Sequence, residues 1–458
     1  MNKKVVIVGS GISGLAAAYW LKKSGYDVLV IDKNKAPGGV MESAFQNGFM
    51  FDKGPNSGLE TSPLIKEIVD DLGLSDKFVY ANDKGNKRYI LRNNTLHALE
   101  MNPKKMIQSK LLSTSGKLRV LAEPFIGRSK DGYYQSISEF VSRRLGKEFL
   151  DYVINPFVAG VFAGNPDNLS VKSAFPKLYA LEEKYGGLMV GTVKSIKERK
   201  RSAEKSKQSA KMFSFENGMQ AFPKAIADYL GKDLELFSEV KCIKKENDKY
   251  TITYDNAGEI KTVTADVVIS AIPAYMASEV FKDFDSTLVK HLNEVYYPPV
   301  IVLYLAYKKQ SITQPLDGFG FLIPAKERKS FLGAIWSSVL FPKRADDDKA
   351  SFTLFIGGAR NPEIVSMDKE LLFKKVINEF EDIMGITDKP VFNQYRYWPK
   401  AIPQYNIGYI EHERYFDEFE KKNPGLILSG NYRGGISVGD CIKNSKLVFE
   451  KVEKILKK

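Results

Sequence analysis

Six residues near the amino terminus, Gly9-Ser10-Gly11-Ile12-Ser13-Gly14, constrain this chain more than any other feature. They follow an apolar run, Lys4 to Val8, that reads as a strand. They open a stretch through Leu15, Ala16, Ala17, Ala18 and Leu21 that reads as a helix ending near Gly25. A second strand, Val28 to Ile31, follows and is closed by the acid Asp32. G-x-G-x-x-G at the turn of such a βαβ unit is the fingerprint of a dinucleotide site. Gly9 permits the tight turn, Gly11 lets backbone approach the pyrophosphate, and Gly14 lets helix and strand pack closely. The phosphates meet the free N–H groups and positive end of the helix. Asp32 is placed to accept from ribose hydroxyls, and an acid there argues against a 2′-phosphorylated dinucleotide.

The motif alone does not separate NAD from FAD. Pro37-Gly38-Gly39 follows closely on Asp32, where a chain lying against a flavin dinucleotide needs glycine. At 458 residues the chain is too long for one compact core, so two or three domains are expected. Apolar content of 43% and charged content of 27% are those of a globular protein. Two cysteines, Cys242 and Cys441, without C-x-x-C, argue against a disulfide framework, a zinc site or dithiol chemistry. The histidines, His97, His291 and His412, are scattered in sequence, and no metal site is expected. The first strand begins at once, so no cleaved signal is expected, and a reducing cytoplasmic compartment fits.

No apolar run approaches the length of a membrane span, so no transmembrane helix is expected. The net charge of +13 is compatible with nucleic acid, an anionic membrane surface or anionic small molecules. The densest basic stretch, Lys194 to Lys211, holds Lys197, Arg199, Lys200, Arg201, Lys205 and Lys207 with no interleaved aromatics, which disfavours base stacking and hence nucleic acid. It reads as a solvated loop or as a patch for anionic headgroups.

Three separated regions share the character of the nucleotide domain: 1–57, 213–273 and 424–458. The second contains a helix, Ala221 to Leu230, a turn at Asn256-Ala257-Gly258 and the buried run Val267 to Ala271. The third begins with the strand-like Leu426 to Asn431 and ends in a helix reaching Lys457. The chain therefore leaves this domain twice, through a mostly helical excursion, 58–212, and an excursion of mixed strands and helices, 274–423.

Further stretches carry a resemblance. They are Gly54-Pro55-Asn56-Ser57, Asn155-Pro156-Phe157, Gly160 to Gly164, Leu169-Ser170, Trp398 to Tyr405 and Gly430 through Gly439. With the fingerprint and Gly38-Gly39, they make the chain resemble protoporphyrinogen oxidases, of the flavin amine oxidase fold group, over almost its whole length. The resemblance implies an α/β fold: a discontinuous Rossmann-like FAD-binding domain, an α+β substrate domain and a mostly helical, membrane-associating insertion. It implies oxidation of protoporphyrinogen IX to protoporphyrin IX, with O₂ as acceptor and H₂O₂ as product. A peripheral position on the cytoplasmic face of the membrane and contact with heme-pathway enzymes are further expectations.

By the same resemblance, Gly9, Ser10, Gly11, Ile12, Ser13 and Gly14 hold the pyrophosphate, and Asp32, followed by Lys33, takes the adenine ribose. Gly38, Gly39 and Val40 line the cofactor, Gly54, Pro55, Asn56 and Ser57 pass near the flavin, and Val240 contacts adenine. Trp398, Asn431, Ile436, Ser437 and Val438 complete the cofactor site. The opening N–H groups of the last helix would favour negative charge on reduced flavin. Arg92 matches an arginine that binds a substrate propionate, a role suited to a guanidinium. No protein residue is expected to act as acid, base or nucleophile, because the flavin accepts the hydride.

Phe319, Phe321, Phe331 and Trp336 are candidates for pocket walls or ordinary core. Met101, Met106, Ile107, Leu111, Leu112, Leu118, Val120, Leu121, Phe125 and Ile126 read as membrane-facing or as an amphipathic helix packed on its own domain. Two functional alternatives stay open: coproporphyrinogen III as substrate, or another reaction of the fold group, that of an amine oxidase or carotenoid desaturase.

Overall fold

The computed structural model describes residues 3–99, 108–199 and 210–457, without the side chains of 196–199. Met101, Met106, Ile107, Lys200, Arg201, Lys205 and Lys207 and the side chains of Lys197 and Arg199 lie outside the described part.

Strand β1 (Lys4–Val8), helix α1 (Ile12–Lys23) and strand β2 (Asp27–Ile31) form the βαβ unit. Gly25, at φ +83°, turns the chain between α1 and β2. β1 and β2 lie in a five-stranded parallel sheet ordered Leu234–Glu235, β2, β1, Val267–Ser270, Leu426–Leu428. This sheet is assembled from three distant parts of the chain. All four residues of Val267–Ser270 are buried, as expected for an inner strand of a parallel sheet covered on both faces. Every residue of α1 from Ile12 to Leu21 is buried. Ala16, Ala17 and Ala18 let α1 approach the sheet, while the helices Ala221–Leu230 and Val438–Leu456 cover its outer side. Trp20 is anchored there by its Nε1–H, which donates to Ser445 Oγ at 3.1 Å.

A second, seven-stranded sheet runs Phe392–Trp398, Val300–Lys308, Lys349–Gly357, Gly333–Ile335, Gly320–Leu322, Arg88–Arg92, Thr95–Ala98. Its last two strands form a hairpin from the segment expected to be mostly helical, so that expectation needs correction: 88–98 completes the sheet of 300–398. Most of 113–199 is helical, including Ile137–Leu145, Asn155–Phe162, Pro176–Tyr185 and Leu188–Arg199.

Side chains alternate between the two faces of this sheet. Tyr89, Leu91, Ile301, Leu303, Leu305, Phe321, Phe352, Leu354 and Ile356 share one core with residues of the helix Lys369–Met384. Phe331 and Trp336 belong to that same core. Phe321, Phe331 and Trp336 are thus structural, on the face covered by the helix, and not pocket walls. Phe319 is half-buried, with the Arg88 guanidinium 5.5 Å from its ring centre. The opposite face carries Arg88, Ile90 and Arg92 on one strand, Leu322 on the next, then Thr353 and Phe355, then Val302 and Tyr304.

Candidate functional site

The glycine turn separates two kinds of steric demand. A Cβ at Gly14 would stand 2.1 Å from the Gly9 carbonyl oxygen, and one at Gly9 2.8 Å from Ile272 Cγ2. Both glycines therefore serve packing, and Gly9 also needs its φ of +106°. A Cβ at Gly11 meets nothing within 4 Å. Gly11 caps α1 in an extended conformation, no side chain caps the helix, and no acid sits in its first turn. The positive helix end thus opens onto free space, the arrangement an anion needs.

The Gly38-Gly39 segment lies directly on this turn. Gly38 pairs with Gly11 in a parallel bridge, and its N–H donates to the Ser10 carbonyl at 2.8 Å. Gly39, at φ +60°, would put a Cβ 3.4 Å from Gly11 Cα. Val40 is exposed, and its carbonyl oxygen would be only 1.9 Å from a Cβ at Gly54. The chain from 38 to 57 is thereby folded against the fingerprint.

Asp32 is buried, and its oxygens are engaged within the chain. Oδ2 accepts from Ser10 N and Oγ at 2.6 and 2.8 Å, and Oδ1 accepts from Asn34 N and Nδ2 at 2.7 and 2.8 Å. Four donors fill a carboxylate's lone-pair positions. Asp32 therefore clamps the glycine turn to β2. Lys33 points outward, 3.9 Å from Glu239. Val240 is buried on the strand Ser238–Glu246, which follows Leu234–Glu235.

The turn Gly54 to Ser57 packs against the second sheet. Asn56 Nδ2 donates to Thr353 Oγ1 at 3.3 Å, and Trp398 Nε1 donates to the Lys53 carbonyl at 2.8 Å. Arg396 lies over the Trp398 ring at 4.4 Å. Immediately before this turn, Asp52 is fully buried. Its Oδ2 is ion-paired with Arg344 Nη2 at 2.8 Å, and its Oδ1 accepts from Ser43 Oγ at 2.5 Å and Met219 N at 2.8 Å. Tyr304 Oη donates to the Asp52 carbonyl at 2.7 Å. Burial raises the Asp52 carboxyl above its usual range, against the pull of Arg344.

The sequence stretches 155–170 and 398–405 meet in space. Gln404 Nε2 donates to the Phe162 carbonyl at 2.8 Å, and Ser170 N donates to the Tyr405 carbonyl at 2.9 Å. Gly160 faces Leu322 so closely that a Cβ would stand 2.7 Å from Cδ2, which sets the helix Asn155–Phe162 on the free face of the second sheet. Tyr405 Oη donates to the Asn431 carbonyl at 2.6 Å and accepts from Gly435 N at 3.0 Å, fixing the segment that leads to Ile436. Ser437 caps the last helix, its Oγ accepting from Asp440 N at 3.2 Å in a capping box with Asp440. Val438 does open that helix, with an acid, Asp440, in the same first turn.

Arg92 is not a free cation. Its Nη1 donates to the Leu111 carbonyl and, at 2.9 Å, to Glu148 Oε1, and its guanidinium lies 4.2 Å from the Tyr152 ring centre. Burial pushes the Glu148 carboxyl up, but donors from Ser113 and Arg92 outweigh it and hold the group below its ordinary value. Tyr152 lies in a π-helical stretch, Leu150–Ile154, ahead of Asn155, a winding that recurs at functional sites.

Arg360 escaped notice in the sequence. It donates to Asn155 Oδ1 at 2.7 Å and the Ile323 carbonyl at 3.1 Å, both neutral, and burial depresses it to about 10. Its only advance signal was the proximity of Gly357-Gly358, two glycines at positive φ after a strand.

Residues 12–448 match the family described as flavin containing amine oxidoreductase. The chain is 35% identical to protoporphyrinogen oxidase 2, chloroplastic/mitochondrial, of Arabidopsis thaliana, covering 96% of this chain and 92% of that protein. It is 26% identical to coproporphyrinogen III oxidase of Bacillus subtilis, covering 97% of each. A solved structure from Exiguobacterium superposes with a TM-score of 0.81 over 99% of both chains at 23% identity, a likeness of fold.

Proposed function

The chain belongs to the flavin containing amine oxidoreductase family, as an FAD-dependent oxidoreductase, and on that premise we propose that it oxidises protoporphyrinogen IX to protoporphyrin IX. The observation that carries this reading is the convergence of the 155–170 and 398–405 stretches with the Asn431–Gly435 segment on the free face of the second sheet, in a chain related to protoporphyrinogen oxidases over nearly its full length.

The open space at Gly11 and the uncapped start of α1 suit a pyrophosphate, so the residues present fit the cofactor. FAD, when bound, accepts hydride from a substrate carbon. The chain supplies position and charge. Gly38, Gly39 and Val40 would line the cofactor, and Asp32 would take its ribose in exchange for Asn34. Asn56, held by Thr353, and Trp398, held by Lys53, would fix the edge of the flavin. The segment Asn431 to Val438 would close its other side. Full aromatisation removes six electrons, so three oxidations follow in sequence, with O₂ taking the electrons to give H₂O₂.

Arg92 would bind a propionate by exchanging Glu148 for the substrate carboxylate. Arg92→Ala is expected to raise KM by about tenfold, the worth of one charge-assisted hydrogen bond, with FAD content unchanged. Glu148→Gln releases the guanidinium and is expected to lower KM by about two- to fivefold, the scale of a partly exposed ion pair. Steady-state kinetics on both variants checks this, and unchanged KM values would remove Arg92 from the substrate site.

The related B. subtilis protein favours a second reading, oxidation of coproporphyrinogen III. Porphyrin fluorescence during turnover of the two porphyrinogens separates them. A higher kcat/KM on protoporphyrinogen supports the first reading, and a higher value on coproporphyrinogen replaces it.

For location, we place the protein at the cytoplasmic face of a membrane. No described helix is long and apolar enough to cross one. Leu111, Leu112 and Val120 are buried, whereas Leu118 and Leu121 are 63% and 56% exposed and Phe125 is 90% exposed. Val193, 65% exposed, lines an open groove with Met189, Val190 and Lys194. Apolar side chains beside lysines suit shallow contact with anionic lipid.

A further inference from the structure

We propose that His291, Glu294 and His412 form a site for a zinc-class divalent cation that cross-braces two helices away from the flavin site. Two of the chain's three histidines, 121 residues apart, come together here. His291 lies in the last turn of the helix Ser286–Asn293, Glu294 caps that helix, and His412 lies in the first turn of the helix Tyr409–Lys422. The two Nδ1 atoms stand 2.9 Å apart, and a Glu294 oxygen lies 3.9 Å from His412 Nδ1. The ligand atoms of all three residues lie within 4.8 Å of one another.

The nitrogen edges are aimed at each other by packing. The His291 ring stacks on Tyr415 at 4.4 Å and 13°, and Tyr415 Oη is in turn held by Asp285 at 3.0 Å. The His412 ring stands edge-on to Tyr409 at 5.6 Å. A tetrahedral zinc with bonds of about 2.05 Å separates its ligand atoms by about 3.3 Å. The imidazoles then open by about 0.4 Å, and the exposed Glu294 carboxylate closes by about 0.6 Å on His412 and by at most about 1.5 Å on His291. Two imidazoles and one carboxylate leave a fourth position for water, a donor set typical of zinc.

Electrostatics favour the ion. It would sit at the negative end of the helix Ser286–Asn293. Without a metal, one Nδ1 carries a proton toward the other, and binding shifts that proton to Nε2 of the same neutral ring.

The brace would act on a defined segment. Tyr409 Oη donates to the Tyr432 carbonyl at 2.5 Å, so the helix carrying His412 backs the segment 431–438.

The test is calorimetric titration of chelator-treated, FAD-loaded full-length protein with Zn²⁺, and visible absorption with Co²⁺. One equivalent with tetrahedral Co²⁺ bands is expected. Affinity should weaken by about tenfold or more in His412→Ala and Glu294→Gln and stay unchanged in His97→Ala. Should His412→Ala fail to fold, the exposed Glu294→Gln carries the test alone. No saturable binding to the wild type, or binding that Glu294→Gln leaves unchanged, overturns the proposal.

Discussion

Gly11→Val is expected to give a folded, colourless protein. The backbone at Gly11 is extended, φ −66° and ψ 167°, a conformation open to any L-residue. The added Cβ touches no protein atom within 4 Å, so the fold should lose no more than about 1 kcal/mol, the scale of a changed helix cap. The volume filled is the approach to the uncapped helix end, where the proposed site would hold the pyrophosphate. FAD affinity should fall by at least about 100-fold, or about 2.7 kcal/mol. Gly14→Val is the contrasting variant. Its Cβ would stand 2.1 Å from the Gly9 carbonyl oxygen, so it should fail as a folded protein and not merely as a binder. Thermal unfolding, with flavin absorbance of the purified protein, distinguishes the two. A yellow Gly11→Val protein would show that the dinucleotide lies elsewhere.

Arg344→Leu should be the most destabilising single change at the junction of the two sheets. Arg344 and Asp52 are each 2% exposed at the side chain. Arg344 also reaches Ser214 Oγ at 2.8 Å and contacts the Met50 sulfur. Removing the cation strands a buried carboxylate, which typically costs about 3–5 kcal/mol. The pH dependence follows from the sign of the shift. Asp52 is already raised in the folded state, so the folded protein holds that proton more tightly than the unfolded chain. Stability contributed by this group is present at acid pH and lost as pH rises through its folded value. Without Arg344 that value rises further. The difference in melting temperature between wild type and Arg344→Leu should therefore narrow as pH falls from 7 toward 5. A constant difference would mean that the carboxylate is neutralised by another group.

The parts of this chain visible in its sequence are those set by local chemistry. The glycines around α1, the helix Ala221–Leu230 and the turn at Asn256-Ala257-Gly258 rest on conformational preferences within a few residues, and the structure shows each of them. The Asp32–Asn34 contact was equally local, a side chain accepting from the amide two residues on. The aromatic residues of the second sheet were harder, because composition does not say which face a side chain takes. The run Arg88 to Arg92 gave no alternation to read, because Ile90 on the face of the two arginines is as apolar and buried as Leu91 on the other. Asp52 with Arg344, and His291 with His412, meet across hundreds or more than a hundred residues, so no local pattern announces them. The hairpin 88–98 escaped for the same reason: its parallel pairing with Gly320–Leu322 depends on a neighbour far along the chain.

The most direct measurement of the central claim is anaerobic mixing of the FAD-loaded protein with protoporphyrinogen IX in a stopped-flow spectrometer. The yellow flavin absorbance should bleach in the first two-electron oxidation, porphyrin fluorescence should grow only once O₂ is admitted to reoxidise the flavin for the remaining two, and the bleaching should slow in Arg92→Ala at subsaturating substrate. A flavin that stays oxidised with protoporphyrinogen and coproporphyrinogen alike would contradict the assignment of this site to porphyrinogen oxidation.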